Sequence, residues 1–296
     1  MNVKKTLETS LIGIMLLNSL GCAAETHNDA RNVDTNAMQR NNVPVGIHNG
    51  FLVVATGQIG GLVQKQNFVV DTGTAPSILN ARLARKMGLQ VTSGTLVAVG
   101  RTVKTGQAVL PELDLGPIHV QGLPVNVMDL SQWEQKLGME VAGLIGMDVL
   151  GRASFRLDYE KKELEFGKGA AQGIAIGYDG LRGLPLADAT LQGKRVRLIV
   201  DTGSDLVVVY GEKWDATQSA KQVKESQQGT SVAEQVAARQ ISQAEMELGG
   251  KQFRGLRAYY VPSAKGTGYD GFLGVTALKL HGISFDRESQ TMYLLN

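Results

Sequence analysis

Two aspartates in this chain each follow a run of three apolar residues and precede a Thr-Gly pair. Asp71 lies in residues 68–74 (FVVDTGT) and Asp201 in residues 198–204 (LIVDTGS). Such an apolar run is typical of a buried strand, and the glycine allows a turn directly after the aspartate. A single Asp-Thr-Gly carries little information, because average residue usage produces it in roughly one chain in twenty of this length. Two copies in the same apolar context indicate two equivalent sites.

Two carboxyl groups held close together can activate a water molecule. If the two copies pack about a local two-fold axis, Asp71 and Asp201 face each other across it. Like charges repel in a poorly solvated cleft, so the pair shares one proton over a wide pH range and titrates as a unit. The ionised carboxyl can then take a proton from a water between them, while its protonated neighbour hydrogen-bonds a substrate carbonyl.

Residues beside the two aspartates are expected to support them. They are Thr72, Gly73, Thr74, Thr202, Gly203 and Ser204. The glycines let backbone N–H groups approach the carboxylates. The two threonines are expected to hydrogen-bond across the axis to the backbone of the other copy. The hydroxyl residues after the glycines are expected to donate to the outer oxygen of their own aspartate, which favours its ionised form.

The sequence around the two aspartates also repeats. Asp201 follows Asp71 by 130 residues, and the GLIG of residues 143–146 returns as GFLG 128 residues later. The segment that ends at Asp158 returns at Asp286, again 128 residues later. Landmarks at a nearly constant spacing indicate an internal duplication, and two copies indicate paired domains and not a solenoid.

Both stretches resemble the active-site motif of aspartic proteases of the retropepsin and pepsin clan. The family's second motif consists of two apolar residues and a glycine, and Gly146 and Gly274 are its glycines in this chain. Residues 143–150 (GLIGMDVL) are most similar to bacterial retropepsin-like proteases. In the family this strand passes through the loop that carries the aspartate, so its glycine must be small. The resemblance covers residues 46–296. It implies an all-β, two-lobed acid-protease fold, with two homologous β-barrel-like lobes, hairpin flaps and a pseudo-two-fold cleft.

The same resemblance implies that Asp71 and Asp201 are catalytic and that no cofactor is needed. Because the duplication removes the need to dimerise for a complete site, we expect a monomer that forms an intramolecular pseudo-dimer. Two departures stand out. Asp205 adds a third carboxyl beside the pair, or is a solvated loop residue. Residues 91–110, which alternate as a hairpin flap would, hold no tyrosine, whereas pepsin-like enzymes keep one on the flap.

The chain divides into five segments on this reading. They are a signal peptide (1–24), a polar tether (25–45), a first lobe (46–166), a glycine-rich linker (167–183) and a second lobe (184–296). Asn80 is suited to cap a short helix over residues 81–87. Residues 213–244 are polar and fit either a helix or a long hairpin.

The first residues are typical of export. Lys4 and Lys5 precede an apolar stretch over residues 11–20 that is too short to span a bilayer comfortably. Cys22 then fits two readings: a small-residue cleavage site for plain secretion, or a bacterial lipobox in which this cysteine is lipidated, although Ser19 stands where an aliphatic residue is usual. The expected location is therefore the periplasm or a lipid anchor on the bacterial envelope, otherwise the outside of the cell. As the only cysteine, Cys22 leaves no internal disulfide.

The charge, the residue spacing and the absence of certain motifs argue against several other functional classes. A net charge of +2 gives no reason to expect a nucleic-acid partner. The four histidines are scattered and do not pair with the lone cysteine at a metal spacing, so no metal site is expected. The chain has no Gly-x-Ser-x-Gly elbow, and its cysteine lies in the leader, which removes the usual serine and thiol nucleophiles.

Two functions remain. The first is an endopeptidase that works outside the cytoplasm on a peptide or protein substrate. The second is an inactive descendant that keeps the cleft for peptide binding or envelope assembly. Both complete Asp-Thr-Gly triplets are present, which favours the first, since a binding protein needs neither carboxyl. A two-carboxylate glycosidase would not require two symmetric turns.

Overall fold

The computed structural model describes residues 11–12, 41–167, 172–180, 183–211, 223–230, 235–261 and 268–295. The predicted signal peptide, apart from residues 11–12, the tether up to residue 40 and the proposed lipidation site Cys22 lie outside the described residues. Among the helices that are described, none is long and apolar enough to cross a membrane.

Strands dominate both halves of the chain. The first half contains β2 (Asn42–His48), β3 (Leu52–Ile59), β4 (Gln66–Val70), β5 (Ile78–Asn80), α1 (Ala81–Lys86), β6 (Thr92–Ala98), β7 (Arg101–Leu115), β8 (Ile118–Met128), α2 (Ser131–Leu137), β9 (Gly143–Ile145), α3 (Met147–Leu150), β10 (Phe155–Asp158) and β11 (Glu163–Phe166). The second half contains β12 (Ile174–Gly177), β13 (Leu186–Leu191), β14 (Lys194–Asp201), β15 (Val207–Tyr210), β16 (Val223–Thr230), β17 (Gln235–Leu248), β18 (Lys251–Val261), β19 (Gly271–Gly274), a 3-10 helix (Val275–Leu278), β20 (Gly282–Asp286) and β21 (Thr291–Leu295). A two-residue strand β1 (Leu11–Ile12) pairs in parallel with β16.

The two halves repeat one arrangement of strands around each aspartate. In the first lobe β9 lies between β4, to which it is parallel, and β5, to which it is antiparallel. In the second lobe β19 lies in the same way between β14 and β15. These inner strands are apolar on both faces because both faces are covered by protein, which is why they appear as unbroken apolar runs in the sequence.

The lobes are joined by six neighbouring strands at one end of a 13-stranded sheet, which are called the central sheet here. Its strand order is β12-β21-β20-β10-β11-β2, so each half of the chain contributes three strands. At its centre β10 and β20 run antiparallel with Phe155 opposite Phe285, and these two buried rings stack with centroids 4.9 Å apart. The pseudo-two-fold axis therefore passes between β10 and β20.

Parts of the predicted tether and linker belong to this central sheet. Residues 42–45 lie in β2, where Pro44 pairs with Glu163. Residues 174–177 form β12, where Ile174 pairs with Leu294. Both segments are short and are ordered by partners more than 100 residues away, so the local sequence does not indicate that they are strands.

Two long hairpins extend from the lobes. The one predicted in residues 91–110 is formed by β6 and β7. For residues 213–244 the hairpin alternative is correct in the described part, where β16 and β17 pair antiparallel. The short helix α1 is capped as predicted, with the Asn80 side-chain oxygen accepting from the Arg82 N–H at 3.1 Å. The predicted all-β, two-lobed fold is confirmed, and it includes a closed six-stranded barrel.

A substitution at Gly143 tests the close approach of β9 to β5. A Cβ atom on Gly143 would lie 2.0 Å from the Ile78 carbonyl oxygen, a backbone atom that cannot move aside cheaply. We expect Gly143→Ala to lower the free energy of unfolding by about 3 kcal/mol, as overpacking of a tight core does. Urea denaturation of the purified protein measures this change.

Gly177→Ala is the matched control, because a Cβ there meets nothing within 4 Å. Its expected effect is within about 1 kcal/mol. Equal stability of the two variants would show that β9 does not pass this close to β5.

Candidate active site

The fold brings Asp71 and Asp201 together at the ends of β4 and β14. The Asp71 N–H donates to the carbonyl oxygen of Ile145 on β9 at 3.0 Å, and Asp201 pairs with Gly274 on β19. Both carboxyls converge on one point: the position of a Cβ on Gly203 lies 3.2 Å from Asp71 Oδ1 and 3.1 Å from Asp201 Oδ1. Both aspartates are fully buried.

The glycine after each threonine hydrogen-bonds the carboxyl of its own lobe and lies against the carboxyl of the other lobe. Gly73 N–H donates to Asp71 Oδ1 at 2.8 Å, and Gly203 N–H donates to Asp201 Oδ1 at 2.7 Å. A side chain at either position would also collide with the opposite lobe, because a Cβ on Gly73 would lie 2.7 Å from Asp201 Cγ. Only glycine at these two positions lets the carboxyls approach each other.

Thr72 and Thr202 tie the two turns together. Thr72 Oγ1 donates to the Val200 carbonyl at 2.7 Å, and Thr202 Oγ1 donates to the Val70 carbonyl at 3.0 Å. Each hydroxyl also accepts from the backbone N–H of the other threonine, at 3.0 and 3.1 Å. These four buried bonds all cross between the lobes, and they fix the separation of the two aspartates.

The hydroxyl residues Thr74 and Ser204 do not behave alike. Thr74 Oγ1 donates to Asp71 Oδ2 at 2.9 Å, as expected from the sequence. Ser204 instead accepts from the Leu206 N–H at 3.2 Å. Among the described residues no N–H or hydroxyl donates to the buried Asp201 Oδ2, so the expected Ser204–Asp201 bond is absent. The two halves of the site are therefore chemically different.

Gly146 and Gly274 lie where β9 and β19 end beside the aspartate turns. A Cβ on Gly146 would lie 2.2 Å from the Thr74 carbonyl oxygen, and one on Gly274 would lie 2.5 Å from the Ser204 carbonyl oxygen. Both positions therefore exclude any larger residue without a shift of the turn.

Sequence reasoning missed a buried support behind Asp71. Asp148 accepts from both the backbone N–H and the hydroxyl of Ser77, at 3.0 and 2.7 Å. The Ser77 hydroxyl in turn accepts from the Gly146 N–H at 2.9 Å. The sequence did contain a signal, since Asp148 lies in the repeated motif. In the second lobe, however, Val207 stands in place of Ser77 and Thr276 in place of Asp148, so a comparison of the two repeats does not reveal this network.

One interpretation of the sequence made Asp205 a solvated loop residue, and the structure shows that this is wrong. Its side chain is 22% exposed, and its Oδ2 accepts from Arg257 Nη1 in an ion pair. Burial raises the pKa of the Asp205 carboxyl, while the charge of Arg257 opposes that rise. Arg257 lies 52 residues further along the chain, so only the fold reveals this partner.

The pair titrates far from the ordinary range. Burial raises the pKa of the Asp71 carboxyl to about 6, and hydrogen bonds from Thr74 and Gly73 limit the rise. The pKa of Asp201 is raised well above its ordinary value, first by burial and then by the negative charge of Asp71. Of the two carboxyls, Asp71 is therefore the one favoured to ionise, and Asp201 the one favoured to keep the proton.

One group of potential metal ligands lies elsewhere. Within the ranges that the structure describes, Glu112, Asp114 and His119 offer ligand atoms within 4.8 Å of one another on the β7–β8 hairpin. His119 Nδ1 is 2.6 Å from Asp114 Oδ1, and this contact is exposed. The group is not part of the aspartate site.

A family model described as aspartyl protease matches the chain twice, over residues 55–149 and 187–277. The chain belongs to the aspartyl protease family. Each match spans one Asp-Thr-Gly turn and one inner strand, so the resemblance to a duplicated retropepsin-like protein is confirmed. A search of curated proteins finds no significant match to this chain.

Substitution of Thr72 tests how strongly the threonine hydrogen bonds hold the two lobes together. Thr72→Val removes the donor to Val200 and the acceptor for the Thr202 N–H, both buried. We expect the free energy of unfolding to fall by about 2–4 kcal/mol, because two buried polar groups lose their partner. Denaturant titration measures the loss.

Thr72→Ser is the control, since it keeps the hydroxyl and removes only a methyl group. It should cost about 1 kcal/mol. If valine were tolerated as well as serine, the hydrogen bonds between the lobes would not contribute to stability.

Proposed function

We propose that this aspartyl protease is an endopeptidase that hydrolyses peptide bonds with a water activated by Asp71 and Asp201. The observation that supports this most is the convergence of two fully buried carboxyls, one from each lobe, on a single point. Carboxyls so placed share a proton, and the pair then offers a base and an acid on the two sides of one reacting carbonyl.

The asymmetry of the hydrogen bonds supports different roles for the two carboxyls. Asp71 accepts from the Gly73 N–H and the Thr74 hydroxyl, both of which stabilise its ionised form. Asp201 Oδ2 accepts from no N–H or hydroxyl in the described part of the chain. Asp71 is therefore the general base of the proposal, and Asp201 holds the proton.

The reaction then balances without a further cofactor. Asp71 takes a proton from the water as its oxygen attacks the carbonyl carbon, and Asp201 gives its proton to the carbonyl oxygen. The product of this step is a neutral gem-diol. Asp71 next donates its new proton to the leaving nitrogen while the C–N bond breaks, and Asp201 regains a proton from one hydroxyl of the diol.

Substrate entry requires movement of the β6–β7 hairpin in this account. Val99, at the tip of the hairpin, is buried in the same apolar cluster as Ala75 and Leu206, which follow the two aspartate turns. Val99 has a φ of 46°, which is strained for a β-branched residue. Such strain at a contact between lobes is consistent with a hairpin that opens for an extended peptide and closes over it.

We also propose that the enzyme acts outside the cytoplasm. The support is the leader pattern of residues 1–24, with lipidation at Cys22 or plain cleavage as the two routes. The substrate class is peptide or unstructured protein.

Single substitution of either aspartate tests the proposal. Asp71→Asn and Asp201→Asn should each lower peptide cleavage by at least about 10³-fold, because each removes one half of the acid–base pair. The measurement is mass spectrometry of a peptide library incubated with each variant between about pH 3 and pH 8. Asp188→Asn is the control, since this side chain is 86% exposed.

Full activity in either single variant would contradict the shared-proton mechanism. Peptide binding without cleavage by the wild type would instead identify the inactive peptide-binding protein that the sequence left open.

The pH profile tests the assignment of roles. Thr74→Val removes a donor to the Asp71 carboxylate and so raises the pKa of Asp71. Activity is lost as Asp71 gains a proton, so the acid limb of kcat/KM should move to higher pH by about one unit. Ser204→Ala should leave that limb in place, because Ser204 does not donate to Asp201. An equal shift in the two variants would refute the assignment.

A further inference from the structure

A pocket of about 220 Å³ lies between the lobes beside the turn that follows Asp201. The first lobe supplies the turn of residues 49–51, and the second lobe supplies Asp205, Arg257, Thr276 and Lys279. The volume equals that of roughly seven liquid waters, which is room for one side chain. Thr276 connects this pocket to the aspartate turn, since its hydroxyl donates to the Ser204 carbonyl at 3.4 Å.

The pocket carries an excess of positive charge. Arg257 and Lys279 are its cations, and Asp205 is its one carboxylate. Asp205 engages one Arg257 nitrogen, and a guanidinium has five N–H donors, so others remain for a ligand on a side chain that is 44% exposed. Lys279 is exposed and makes no ion pair with any described residue. A carboxylate is the ligand that matches two such donors.

The pocket also holds an acceptor without a donor. Asp205 Oδ1 is buried, and no described residue hydrogen-bonds to it. Because that oxygen has almost no accessible surface, a ligand in the pocket is recognised by Arg257 and Lys279 and not by this acceptor.

The distance from the aspartates fixes which part of a peptide would reach the pocket. Asp205 follows Asp201 by four residues, so their Cα atoms are at most about 14 Å apart. An extended peptide advances about 3.3 Å per residue. An extended chain that runs from the aspartate pair toward Asp205 therefore reaches the pocket within about four residues of the scissile bond.

We propose that this pocket binds a carboxylate of the substrate peptide through Arg257 and Lys279, and that it gives the enzyme a preference for an acidic residue near the cleaved bond. The proposal relies on the endopeptidase function for the placement of the peptide. An aspartate or glutamate side chain and a C-terminal carboxylate offer the same chemistry, so the test separates these two sources.

The test uses the full chain and decapeptides that carry Glu, Gln or Lys at each position in turn, with amidated C-termini. A second Gln set has free C-termini. Wild-type kcat/KM should favour Glu over Gln about tenfold at one position within four residues of the cut. Preference for the free C-terminus alone would assign the pocket to the terminal carboxylate. The Glu/Gln ratio of kcat/KM should fall as the salt concentration is raised, because the charges in the pocket are partly exposed.

Variants of Lys279 connect the preference to the pocket. Lys279→Met should reduce the Glu/Gln ratio at least about threefold, and Lys279→Glu should make Lys the preferred residue at the same position. Lys65→Glu is the control, since this lysine is exposed outside the pocket, and it should leave the ratio unchanged. A ratio near one at every position, or a preference that Lys279→Glu does not alter, overturns the proposal.

A binding measurement separates this proposal from the endopeptidase function. Fluorescence anisotropy with Asp201→Asn and the same labelled peptides gives Kd values that do not depend on cleavage. A tighter Kd for the carboxylate peptides, lost in Asp201→Asn combined with Lys279→Glu, supports the pocket even if the wild type cleaves nothing. Cleavage without any such difference in Kd or kcat/KM supports the endopeptidase and refutes the pocket.

Discussion

Two buried carboxyls must be held beside each other, and four hydrogen bonds between Thr72, Thr202 and the facing backbones do this. Burial disfavours both charges, and proximity disfavours the second charge further, so the pair is stable only while one proton remains on it. The rest of the fold supplies what this contact requires. An aspartate lies at the end of each of the strands β4 and β14, at the boundary between the lobes, and the central sheet prevents the lobes from separating.

The duplication gives the lobes the same strands but not the same chemistry. Asp71 has the Thr74 hydroxyl on its outer oxygen and the Ser77–Asp148 network behind its turn. In the second lobe Ser204 accepts from a backbone N–H, and Asp205 pairs with Arg257. A symmetric pair would leave the position of the shared proton undecided. In the proposed hydrolysis, these differences make one carboxyl the base and the other the acid.

The sequence predicts the strands and turns that repeat, because their apolar runs and glycines appear twice at nearly constant spacing. Asn80 was also identifiable, since helix capping depends on adjacent residues. Contacts between distant and unrepeated residues were not predictable. Ile174 to Gly177 becomes a strand only through its partner near the end of the chain, and Arg257 has no sequence relation to Asp205. Ser204 was misassigned because the repeat suggested the same bond as Thr74, whereas the Ser204 hydroxyl accepts from the N–H of Leu206.

The most direct test of the shared proton is carbon-13 NMR of the full chain labelled at the aspartate Cγ. The two resonances are assigned by their loss in Asp71→Asn and Asp201→Asn. The account predicts that Asp71 ionises near pH 6 and that Asp201 stays protonated well above the ordinary aspartate range, so one proton remains on the pair after Asp71 has ionised. Two independent titrations, both near the usual aspartate pKa of about 3.9, would contradict it.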